Sequence, residues 1–75
     1  MADEQIELIV VTVDDKYLAE IQSVVTSLQS SGMIVNNVMT TAGIIIGEIS
    51  QTKISELKKH PGVIDVEKDL EMRAN

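Results

Sequence analysis

The chain has 75 residues, with twelve acidic against six basic side chains, a net charge of −6, no cysteine, one tyrosine and no Phe or Trp. That balance repels phosphate backbones and anionic lipid surfaces, and the absence of cysteine excludes a disulfide framework, a thiolate zinc site and a cysteine nucleophile. One small domain spanning residues 1–75 is expected, with an aliphatic core and a net stability of roughly 3–5 kcal/mol, because a chain this short buries only about 60% of the surface its unfolded form exposes.

Residues 1–5 are acidic and short, without the basic stretch and apolar segment of a signal peptide. The longest apolar runs, residues 8–11 and 43–47, fall far short of the ~18 residues that span a bilayer. A cytoplasmic location without membrane attachment is the expectation. Residues 1–5 and 71–75 are expected to be mobile ends.

Residues 6–13 are rich in β-branched side chains and almost wholly apolar, the pattern of a central strand. Asp14 and Asp15 end it, either one able to serve as a helix N-cap, and no ligand spacing around them marks a cation site. From Lys16 the period changes. Leu18, Ile21, Val25 and Leu28 recur at steps of 3, 4 and 3, Val24 widens the stripe, and Gly32 suits a left-handed helix end.

Residues 33–39 and 44–49 read as two strands of an antiparallel hairpin around the connection 40–43. Gly47 marks a bulge or a close approach of another backbone, the bulge being the preferred reading. The run 43–47 lacks the glycine spacing of a phosphate cradle. A second helix is predicted over 50–60, capped by Ser50 or Thr52, with Ile54 and Leu57 buried. Lys58, Lys59 and His60 in its last turn complement the helix dipole. Pro61-Gly62 turns the chain into a final strand over 63–70.

The order β-α-β-β-α-β predicts an α+β, ferredoxin-like fold: a four-stranded antiparallel sheet with two helices on one face. Two helices cover one face only, so the other should present a β-branched contact surface, expected to hold Ile9, Val11, Ile44 and Ile46. RNA recognition on this fold needs aromatics on the inner strands, which are aliphatic here. No cofactor or metal site is expected. A hydrolase needs an imidazole beside a nucleophile, and His60, the single histidine, is expected in a solvent-facing turn, so the chain reads as non-catalytic.

The segment 56–69, Glu-Leu-Lys-Lys-His-Pro-Gly-Val-Ile-Asp-Val-Glu-Lys-Asp, follows the pattern E-L-K-K-x-P-x-V-x-x-V-E-x-D. It resembles the end of subtilisin-type propeptides and, more closely, the yeast proteinase B inhibitor-like family of small free-standing protease inhibitors. In that family V-E-x-D is followed by six residues ending in Asn, the spacing from Val66 to Asn75 here. The resemblance implies a partner, a subtilisin-like serine protease, bound in trans through the open sheet face. It implies that Glu67 and Asp69, with Glu71 contributing similarly, cap protease helices. It further implies that Met72, Arg73, Ala74 and Asn75 enter the cleft, Met72 in the apolar subsite and Asn75 in the primary pocket. The first strand departs from the aromatic pattern of many propeptides.

A second reading stays open: an ACT-like regulatory or oligomerisation module that uses the open sheet face to form a homodimer. Residues 13–16 lack the Pro and Gly of the D-x-P-G ligand turn of that family.

Overall fold

The computed structural model describes residues 5–69. Among them β1 (Ile6–Val13) is followed by a 3₁₀ turn (Asp15–Glu20) that runs into α1 (Ile21–Ser30). Next come β2 (Ile34–Met39), β3 (Ile44–Ser50), a 3₁₀ turn (Gln51–Lys53), α2 (Ile54–Leu57) and β4 (Val63–Lys68). The strands form one antiparallel sheet in the order β2-β3-β1-β4, the ferredoxin-like arrangement.

The helix boundaries follow their caps. The Asp14 carboxylate accepts the Lys16 N–H at 2.9 Å and opens the 3₁₀ turn before α1. At the other end Gly32 takes φ +107°, the Gly32 N–H donates to the Gln29 carbonyl and the Met33 N–H to the Leu28 carbonyl, at 3.0 and 3.1 Å. This paired closure needs a residue tolerant of positive φ, and it turns Met33 into the core. The second helix is much shorter than residues 50–60. Ser50 caps a 3₁₀ turn, α2 is a single turn, and the Lys59 and His60 N–H groups reach back only three residues, to Glu56 and Leu57. Pro61 then prevents continuation.

Ile21, Val24, Val25 and Leu28 of α1 and Leu57 of α2 are buried in one cluster with Ile9, Val11 and Val13 of β1, Ile45 and Ile49 of β3, and Val66 of β4. Both helices therefore cover the same face. Ile9 and Val11 are wholly buried there, which corrects their assignment to the helix-free face. The reason is register: Ile9 pairs with Gly47 and Val11 with Ile45, and directly opposed residues share a face. Leu8 and Val10, set against Glu48 and Ile46, are the β1 residues that join Ile44 and Ile46 on the open side. A one-residue difference in parity exchanges the two sets.

Gly47 lies at a close approach. Asn36 is the extra residue in β2, inserted where Val35 pairs with Gly47 and Asn37 with Ile46, so the bulge sits on the strand facing the glycine. A Cβ on Gly47 would land on the Ile34 carbonyl oxygen and 2.8 Å from the end of Met33.

Two expectations follow from the packing. Ile45→Ala should lower the unfolding free energy by about 2–5 kcal/mol, a large share of the roughly 3–5 kcal/mol expected for the domain, while Ile46→Ala should cost clearly less. Urea titration followed by circular dichroism separates the two, and equal losses would contradict the register. Gly47→Ala should cost about 1–3 kcal/mol, because backbone rather than a side-chain end must move. A wild-type midpoint in the same titration would contradict the close approach.

Candidate functional site

Once α1 and α2 occupy one side of the sheet, the other side carries a row of apolar residues across the inner strands. Leu8 and Val10 of β1 lie beside Ile44 and Ile46 of β3, all half-buried by their neighbours. On β2, Ile34 pairs with Glu48 and Met39 with Ile44, which extends the row outward. Ile34 is 61% exposed and Met39 39%.

Carboxylates border this row. Glu48 is half-buried and accepts from the Asn36 side-chain amide at 3.3 Å. On β4, Glu67 stands opposite Val10 and Asp65 opposite Thr12, so both share the open face. Asp65 turns one carboxylate oxygen onto its neighbour's backbone, accepting the Val66 N–H at 2.9 Å. Val66 and Lys68 alternate onto the other side, where Val66 enters the core and the Lys68 ammonium lies 3.9 Å from the Glu7 carboxylate. With the Lys68 side chain in solvent and the separation at the long limit of an ion pair, the contact contributes little to stability. Its consequence is orientational: within the Val-Glu-Lys-Asp run the cation faces the helices and Glu67 faces outward.

Past β4, the Asp69 N–H donates to the Leu8 carbonyl at 2.8 Å, so the chain stays attached to β1 through Asp69. Glu71, Met72, Arg73, Ala74 and Asn75 lie outside the described residues.

The residues that sequence reasoning missed on this face are Leu8, Val10, Ile34, Met39, Glu48 and Asp65. The signal for the first two was Thr12, a polar residue of the same parity as Leu8 and Val10, which marks the solvent side of β1. Glu7 gave the opposite signal. It shares parity with Ile9 and Val11 and is accommodated at the end of the sheet by Lys68.

His60 is half-buried rather than solvent-facing, with Nε2 2.7 Å from the Ser31 hydroxyl. The pair has the contact distance of a nucleophile and base, but Ser31 is the C-cap of α1, where the helix presents the negative end of its dipole. Negative charge developing on a substrate oxygen would meet repulsion there rather than an oxyanion hole. The hydrogen bond instead ties the end of α1 to the turn that follows α2. Beside it, Tyr17, Glu20, Ser23, Val24, Ser27 and Pro61 line an open groove of about 150 Å³. Among the described residues no group of three His, Cys, Asp or Glu is placed to hold a metal ion, and no helix is long and apolar enough to cross a membrane.

No family model, curated protein or solved structure matches the chain.

Proposed function

We propose that the chain is a non-catalytic protein-binding module that inhibits a subtilisin-like serine protease in trans, or assists its folding. One observation carries this reading: the apolar row Leu8, Val10, Ile44 and Ile46 on β1 and β3 and the Glu67 carboxylate on the adjoining edge strand β4 lie on the same side of the sheet. A single partner surface can then meet the apolar face and the carboxylate together. The helix-free face supplies the apolar area, because an uncovered β-branched sheet is the kind of patch that marks an interaction surface. Glu67 supplies the charge for the N-terminal end of a partner helix, worth about 0.3–1 kcal/mol and more if desolvated.

Asp69 belongs to the same group of residues, and its backbone hydrogen bond to Leu8 holds it against β1. In this reading Glu71 adds a further carboxylate. Met72, Arg73, Ala74 and Asn75 lie substrate-like in the cleft, pairing their backbone with its edge as an added strand does. The location expected for such a partnership is cytoplasmic.

The test is inhibition of a panel of subtilisin-like proteases by the purified chain. Removing residues 72–75 should sharply weaken inhibition while leaving the thermal midpoint nearly unchanged. Replacing both Glu67 and Asp69 with Ala should weaken binding about threefold to thirtyfold, the equivalent of roughly 0.6–2 kcal/mol. Ile46→Asp should abolish binding by placing a charge within the apolar row. Uninhibited rates across the panel, or undiminished potency after truncation, would remove the reading. A homodimer closed through the sheet face, detected by sedimentation and abolished by Ile46→Asp, would favour the ACT-like alternative.

A further inference from the structure

The two edges of the sheet differ in chemistry. β4 carries Asp65, Glu67 and Lys68 among its six residues, whereas β2, Ile-Val-Asn-Asn-Val-Met, carries no charged side chain. An edge strand presents unpaired backbone N–H and C=O groups, and proteins commonly protect it with charge, Pro or a bulge. β2 has only the bulge.

That bulge gives the strand an internal symmetry. Against β3 the ladder positions are Ile34, Val35, Asn37, Val38 and Met39, with Asn36 left over. Counted in this way β2 is Ile-Val-Asn-Val-Met, centred on Asn37. Ile34 and Met39 both fall on the helix-free face, and Val35 and Val38 both pack against the core. In an antiparallel pair formed about a twofold axis, opposed residues share a face. An axis at Asn37 therefore sets Ile34 against Met39 of a second copy, Val35 against Val38, and Asn37 against itself, each on the correct side. Without the extra residue, positions 35 and 38 would point to opposite faces and no such axis would exist. Asn36 itself does not obstruct the outer edge, because its side chain reaches inward to Glu48 on β3.

We infer that β2 is a homodimerisation edge, pairing with β2 of a second copy of this chain to form a continuous eight-stranded sheet. Charge selects this edge. Each copy carries −6, so association is least opposed where no ionised groups meet, and pairing through β4 would bring carboxylates towards carboxylates. Burial favours the same edge, since Ile34 and Met39 are exposed in the monomer and each gains an apolar neighbour on pairing. The area of one strand pair lies at the low end of specific interfaces, which makes the dimer reversible and concentration-dependent. The inference stands apart from the protease reading, because the helix-free face and the β4 edge stay open in such a dimer.

The chain has no cysteine, so a single introduced thiol reports the contact without interference. Opposed strand residues have Cα atoms about 4.5–5.5 Å apart, within disulfide reach. Under mild oxidation Asn37→Cys should convert to a covalent dimer, whereas Ile64→Cys, on β4 and 61% exposed, should remain monomeric at the same concentration. Ile34→Lys should abolish the reversible dimer seen by sedimentation. Combining it with Met39→Glu should restore dimerisation, because the introduced cation and carboxylate face each other across the axis. Circular dichroism confirms that each variant is folded. A wild-type monomer at every concentration with no Asn37→Cys crosslink, equal crosslinking at both sites, or a double variant that stays monomeric would overturn the inference. So would a dimer lost on Ile46→Lys but retained on Ile34→Lys, which would place the contact on the sheet face.

Discussion

Val11 opposite Ile45 is the pairing on which the rest of the structure depends. Both residues are wholly buried, one on each central strand, and they assign the remaining side chains of β1 and β3 to a face. With that register Ile9, Val11 and Val13 join Ile45 and Ile49 under the helices, and Gly47 falls where Ile34 of β2 passes too close for any side chain. The same register leaves Leu8, Val10, Ile44 and Ile46 as the surface available to a partner. The core and the candidate site are therefore two consequences of one choice of parity.

The helical layer is thin. α2 is one turn, and α1 is anchored by its apolar stripe, the closure at Gly32 and the Ser31–His60 hydrogen bond. A layer of that size covers one face of a four-stranded sheet, and the apolar row lies on the face that neither helix reaches. Carboxylates at Glu48, Asp65 and Glu67 keep that row wettable and give it a sign of charge that favours a basic or neutral protein surface or the positive end of a helix.

The edges divide the remaining roles. β4 carries charges, and its hydrogen bonding to β1 extends to Asp69, with Glu67 on the outward side. β2 is neutral and symmetric once Asn36 is set aside. Bulges usually discourage pairing at an edge; here the bulge brings Val35 and Val38 to one face, which gives the strand its twofold complementarity.

Element order, fold class and most turns were legible in the chain because they depend on local chemistry. The period change after Asp14, the glycine at position 32, the Ser50 cap and Pro61 each act within a few residues. So did the burial of Ile21, Val24, Val25 and Leu28, because one helical stripe leaves one choice of inward face. The buried side of β1 was not legible in the same way. Residues 6–13 are apolar on both faces, Thr12 and Glu7 point to opposite conclusions, and the two parities differ only in which one a second strand matches. That decision required the contact with Ile45 and Gly47, more than thirty residues away in the chain. The second helix was legible in place but not in form: three-residue hydrogen bonding flanks a single α turn there. Local sequence determined the elements; the face each presents came from long-range pairing, because a strand's two sides differ only in what covers them.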